Sequence, residues 1–147
     1  MLTIEELTET LAQAAANEDQ APSRLLSDQV PMLNMETLRD LEHMGQSPHF
    51  VPQLVELFTQ ESSVLLLNIE ETLARRSQEE FKAQIHALKG SALNLGAERL
   101  FAHCKNLSML NPRELESSAG ALSAETRAIV KETQAALSAY VKTRGAA

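Results

Sequence analysis

Residues 81–97 read FKAQIHALKGSALNLGA, and the spacing of their apolar side chains decides the fold. Phe81, Ile85, Leu88, Ala92 and Leu95 recur at intervals of 4, 3, 4 and 3. On an α-helix that spacing makes one continuous stripe to be buried. Ser77-Gln78-Glu79-Glu80, just before the stripe, has capping-box spacing. Gly96, just after it, suits the left-handed residue that ends many helices. A helix this short gains most of its stability from packing, so the rest of the chain must cover the stripe.

The flanking sequence supplies the partners. Downstream, Leu100, Cys104 and Leu107 mark another helix, ended at Asn111-Pro112, where Asn caps and Pro takes a first helical position. A last helix carries Leu122, Ile129, Val130, Leu137 and Val141, with Gly120 a weak point. Upstream, Phe50, Leu54, Phe58, Leu65, Ile69 and Leu73 recur at mostly helical intervals as far as Arg75-Arg76-Ser77. Val64 to Leu67 is apolar all round and Glu61 falls on the apolar line, so a bend is expected near Ser62-Ser63. Asn34 caps a short helix with Leu38 and Leu41, stopped by Gly45. Thr3-Ile4-Glu5-Glu6 opens a first helix, striped by Leu7, Leu11 and Ala14 or Ala15 and ending near Asn17. Residues 18–31 read as a linker. The expectation is an all-α fold: an antiparallel up-and-down four-helix bundle over residues 32–147, with an N-terminal helix and linker over residues 1–31.

Composition agrees with that class. The 147 residues include five glycines, five prolines, four Phe, one Tyr and no Trp. Formal net charge is −7, and no basic cluster goes beyond Arg75-Arg76, so a nucleic-acid or anionic-membrane surface is not expected. Cys104 is the sole cysteine and cannot form an internal disulfide, which fits a reducing compartment. No apolar stretch approaches the roughly 20 residues of a membrane span. The acidic start MLTIEELTET lacks the basic flank of a signal peptide. These features lead to the expectation of a soluble cytoplasmic protein.

Against that frame, one helix position stands out. At 100° per residue, His86 lies about 140° from the centre of the buried stripe, on the solvent side. Lys89 falls about 60° from it and Gly90 about 40°, so the three share one surface patch. Helical side chains lean toward the N-terminus, so a side chain at 90 would project over the imidazole of His86. Glycine clears that space, yet inside a helix it costs about 1 kcal/mol relative to alanine. Taken singly, His86 reads as an ordinary exposed histidine and Gly90 as a helix-crossing contact. Together they point to something large approaching the ring. A neutral imidazole is a nucleophile near neutral pH, and Lys89 offers a point charge to an anionic group carried on it.

His86-Ala87-Leu88-Lys89-Gly90-Ser91-Ala92, continuing through Asn94-Leu95-Gly96-Ala97 and from Leu100 to Cys104, resembles the histidine-containing phosphotransfer (HPt) domain. Phe50-Val51 to Leu57-Phe58 and the leucine-rich stretch after it also match that pattern. The resemblance covers roughly residues 34–140 and implies that His86 accepts a phosphoryl group from a receiver-domain aspartate and passes it to another receiver. It implies that Lys89 stabilises the phosphate and that Gly90 admits phosphate and partner. It further implies a helical bundle with the histidine exposed midway along one helix, and partners that are response-regulator receivers and a sensor histidine kinase. Leu107-Ser108-Met109-Leu110 departs from the Leu-Glu pair that the family often has after the cysteine helix. The His-Ala-Leu run with its downstream Asn, Gly-Ala and Cys is also similar to the C-terminal domains of quorum-sensing hybrid sensor kinases that respond to diffusible fatty-acid signals.

No Gly-rich phosphate loop is present, so the chain is not expected to use ATP directly. No cofactor of its own is expected; in phosphorelays Mg²⁺ belongs to the receiver. His43, His49 and His103 are scattered, without a His-x-x-x-His pair, so a metal site is not expected and a metal-dependent helical enzyme ranks third. Cys104 reads as a buried structural thiol. Receiver docking is expected around His86 on Ala83, Ala87 and Leu93, with an exposed part of Leu66-Leu67 adding to the patch. Leu93 reads equally well as core. The alternative function is a non-catalytic interaction module that binds a receiver or a regulated enzyme without phosphate passing through it.

Overall fold

Short corners, two of them with side-chain caps, break the chain into helices. The computed structural model describes residues 30–45 and 47–146; the helix expected over residues 3–17 lies outside them. The helices are α1 (Met35–Met44), α2 (Phe50–Ala74), α3 (Gln78–Leu95), α4 (Glu98–Ser108), α5 (Pro112–Ser117) and α6 (Ala119–Ala146). Among the described residues there is no strand. The four long helices form the bundle: α2 packs on α3 and α6, and α4 packs on α3 and α6. α1 rests on α2, and α5 on α6.

The expected stripe of α3 is buried in full, with Ile85, Leu88 and Ala92 at 0% exposure. Leu100, Cys104 and Leu107 of α4 meet it, as do Leu122, Ile129, Val130 and Leu137 of α6. On α2 the buried line is shifted. Val51, Val55, Phe58, Ser62, Leu66, Ile69 and Leu73 are inside, while Phe50, Leu54 and Leu65 are half-buried. The run Val64-Leu65-Leu66-Leu67 is apolar all round, so apolar spacing alone misplaces the centre of the buried line. α2 runs as one helix through Ser62-Ser63, where a bend was expected, and Ser62 is buried and bonded within the bundle. Its Oγ donates to Thr59 O at 3.4 Å and accepts from Gln134 Nε2 of α6 at 2.9 Å.

The corners follow local chemistry. Asn34 caps α1, its Oδ1 accepting from Thr37 N at 3.0 Å, and Gly45 ends that helix. Gly96 ends α3 at φ 71°, and a Cβ there would lie 2.8 Å from Thr37 Cβ, so both conformation and space require glycine. Asn111 and Glu114 form a reciprocal capping box at 2.8 and 2.9 Å, with Pro112 opening the helix. The helix they open is the six-residue α5, a separate turn ahead of α6. The capping box expected at Ser77 is not made: its side chain forms no cap hydrogen bond. Glu80 turns to Arg75 at 2.7 Å, which with a side-chain hydrogen bond from Ser77 holds its carboxyl below the usual range.

Phe81 is 1% exposed at the start of α3, among the largest buried side chains. Phe81→Ala is expected to cost about 3–5 kcal/mol, read as a lower urea midpoint at unchanged m-value.

Candidate functional site

Midway along α3 the outward face carries His86, Lys89, Gly90 and Leu93. His86 and Gly90 are exposed and Lys89 is half-buried, while Ile85 and Leu88 beneath them anchor the helix. A Cβ placed on Gly90 has nothing within 4 Å, so no crossing helix requires a glycine there. The reading of Gly90 as a helix contact is therefore excluded. Ala83 and Ala87 are exposed, and Leu93 is 61% exposed, which takes it out of the core.

Two polar links fix the register of α2 against α3. Ser91 Oγ donates to Glu61 Oε2 at 3.5 Å, and Asn68 Nδ2 donates to Gln84 Oε1 at 3.4 Å. Residues 61–68 thus run antiparallel beside residues 84–91, with Val64, 58% exposed, level with Leu88 and within one turn of His86. The pair Leu66-Leu67 divides: Leu66 is core, whereas Leu67 is exposed. On the other flank Leu93 shares a groove with Phe101, Ala102 and Lys105 of α4. Three cations, Lys82, Lys89 and Lys105, therefore stand on this side of a chain whose net charge is −7.

Cys104 lies wholly buried behind this face. Burial pushes its thiol up to about 12, opposed only by the charge of Lys89, so it is a neutral packing group and not a nucleophile. His43 and His49 are exposed on other elements. His103 is buried on α4, its Nε2 2.8 Å from Thr126 Oγ1 of α6. Sequence reasoning placed no partner on it; Thr126 falls in register with Leu122 and Ile129, and its hydroxyl also donates to Leu122 O at 2.7 Å. Among the described residues no three His, Cys, Asp or Glu side chains cluster as a metal site. No described helix is long and apolar enough to cross a membrane.

Chemically, the face offers one solvent-facing imidazole, one adjacent ammonium and an unobstructed approach. It holds no general acid–base pair and no phosphate-cradling loop. Any partner that docks on this face reaches the imidazole and the ammonium together.

Residues 53–140 match a family model described as Hpt domain, a span that contains all of α3, α4 and α5 and most of α2 and α6. Pseudo histidine-containing phosphotransfer protein 2 of Oryza sativa subsp. japonica is 36% identical over 73 residues, covering 48% of this chain and 48% of that protein. The chain spans about half the length of the curated relative it matches. No solved structure matches it.

Proposed function

The chain belongs to the Hpt domain family, and from that premise we propose that it is a phosphorelay carrier in which His86 is the phosphorylated residue. The observation supporting this most directly is an exposed imidazole, at the centre of the bundle's outer face, beside a glycine with open space around it. An unprotonated ring nitrogen of His86 attacks the phosphorus of an aspartyl phosphate on a receiver. The N–P bond forms as the acyl P–O bond breaks, and the receiver aspartate leaves as carboxylate. The reverse displacement, by the aspartate of a second receiver, returns the imidazole. Mg²⁺ and the acidic pocket belong to the receiver, and a sensor histidine kinase stands upstream. Nothing in this scheme requires the chain to hold ATP, and a cytoplasmic location fits it.

On this reading Lys89, one turn after His86, brings its ammonium to the phosphoryl oxygens. Transfer carries charge on those oxygens, so a positioned cation lowers the barrier. Lys89→Ala is expected to slow transfer about tenfold or more, measured as label moving from receiver to chain, with helical content unchanged. Ala83, Ala87 and Leu93 form the docking rim. Their exposure supports this, and Val64 extends the rim onto α2. The domain is taken as residues 32–147, with residues 1–31 as an extension.

The deciding experiment mixes a labelled phospho-receiver, Mg²⁺ and the full chain. The expected product is labile in acid and stable in alkali, as a phosphoramidate is. Label that survives acid would put the phosphate on a hydroxyl and end the proposal. The rice relative's name carries the word pseudo, and that favours a second reading: the same bundle binds a receiver with no phosphate passing through it. Receiver affinity unchanged by His86→Ala, with no label taken from any receiver, would select this reading.

A further inference from the structure

Two depressions border the outward face of α3, one on the side of α2 and one on the side of α4. On the α2 side, Leu54 and Leu57 line a recess of about 90 Å³ with the exposed carboxylate of Glu61 beside them. On the α4 side lies a larger groove of about 350 Å³, floored by Ala92, Leu93, Ala97, Phe101 and Ala102. Its charged groups are one carboxylate, Glu98, and one cation, Lys105. They stand two turns apart on α4, at opposite ends of the groove. Glu98 is at the corner with α1, where its Oε1 accepts from Asn34 Nδ2 at 2.7 Å. Lys105 is at the His86 end, since its neighbour Cys104 feels the charge of Lys89, one turn after His86. The ammonium of Lys105 is exposed and makes no ion pair with another described residue.

A partner centred on His86 reaches both depressions. A specific interface covers about 800 Å² on each partner, a disc of about 16 Å radius. Leu93 lies two turns from His86 on the same face of α3, about 10 Å along the axis. Ser91, which donates to Glu61 at 3.5 Å, is about 8 Å along it. Charge and shape then separate the two sides. A receiver carries an acidic pocket around its phosphorylated aspartate. Glu61 repels that surface, whereas Lys82, Lys89 and Lys105 attract it. The α4 groove also offers more room for an anchoring side chain, and anchors buried in apolar pockets carry most of an interface's energy.

We propose that a receiver docked over His86 extends onto α4, with one apolar side chain in the Leu93–Phe101–Ala102 groove and a carboxylate against Lys105. That the partner is a receiver rests on the phosphorelay reading above; the place and sign of the contact rest on the groove and on Lys105. Lys105 is then a specificity residue, selecting receivers by a charge on their surface without touching the reacting atoms. An ion pair at the rim of an interface acts mainly on the association rate and weakens as salt rises.

The test uses the full chain, isotope-labelled for NMR, and a panel of receiver domains. A receiver that binds should shift the signals of Leu93, Phe101, Ala102 and Lys105 more than those of Leu57 and Glu61. Lys105→Glu should raise the receiver concentration at half-maximal transfer about tenfold at low salt, with the maximal rate within about twofold of wild type. That difference should shrink in about 0.5 M salt. Ala102→Trp, which fills the groove, should weaken the same receiver about tenfold. Phosphoramidate is a small donor that needs no docking surface, so it should load His86 equally fast in wild type and Lys105→Glu.

Shifts confined to Leu57 and Glu61 move the contact to α2 and overturn the proposal. So do groove signals left unmoved by a receiver that shifts His86. Groove signals that move with the chain's own concentration, before any receiver is added, assign the groove to a second copy and overturn it as well. Unchanged half-saturation in Lys105→Glu removes the charge contact. Slower loading of that variant by phosphoramidate overturns its role in docking, because the ammonium then acts on the phosphate. If no receiver binds, the proposal falls, and phosphoramidate still decides whether His86 accepts phosphate. If His86 takes phosphate from no donor, the phosphorelay reading falls, while the receiver-induced shifts still decide where the partner sits.

Discussion

His86→Gln is expected to abolish incorporation of acid-labile phosphate, by at least about 10³-fold, while leaving helical content and melting temperature unchanged. Glutamine keeps a polar side chain of comparable reach and favours the helix more than histidine does. Its amide nitrogen is not a nucleophile, so the chemistry is lost and the shape is kept. The fold does not rely on the ring, since His86 is exposed and the buried contacts of α3 come from Phe81, Ile85, Leu88, Ala92 and Leu95. The other histidines offer no substitute on this face: His103 is enclosed against Thr126, and His43 and His49 stand on α1 and at the start of α2. Full acid-labile labelling of His86→Gln would move the acceptor to one of those two exposed rings and sink the assignment.

The reason His86 could be singled out from sequence lies in the helix that carries it. α3 is striped on one side only, with polar or small residues elsewhere, so its apolar spacing fixes the rotation of every side chain about the axis. That rotation put His86, Lys89 and Gly90 on one outward patch, and the structure has His86 and Gly90 exposed with Lys89 half-buried. α2 was less legible because Val64-Leu65-Leu66-Leu67 is apolar all round, so apolar spacing did not fix its rotation and Ser62 looked like a defect. In fact Ser62 is buried and hydrogen-bonded to Gln134 across the bundle. Contributions from neighbouring helices were hidden for a different reason. Val64 and Lys105 reach the His86 face only through the register of α2 and α4 against α3, and no local pattern encodes that register. At Ser77 the cap is replaced by side-chain bonds: Arg75, three residues before Gln78, and the Ser77 hydroxyl both hold the Glu80 carboxylate.

Gly90→Leu is expected to separate stability from function in opposite directions. Glycine inside a helix is disfavoured by about 0.8–1 kcal/mol against a strong helix former such as leucine. Nothing lies within 4 Å of a Cβ at this position, so no steric cost offsets the gain. The variant should therefore melt a few degrees higher, about 2–5 °C for a chain of this size. Its side chain, however, leans toward the N-terminus and lies over the residue four positions earlier, which is His86. In-line transfer needs the receiver aspartate and the imidazole on opposite sides of one phosphorus, and displacement of about 1 Å costs roughly 10²-fold. Transfer should fall by about that factor. Gly90→Ala gains the same helix stability while adding one methyl, so its loss in rate should be much smaller. That graded response distinguishes a gap kept for an approaching partner from a glycine tolerated by chance. Wild-type transfer by Gly90→Leu would leave the glycine without a role. Destabilisation by Gly90→Ala would instead mean that the backbone at this turn of α3 needs glycine for its own conformation.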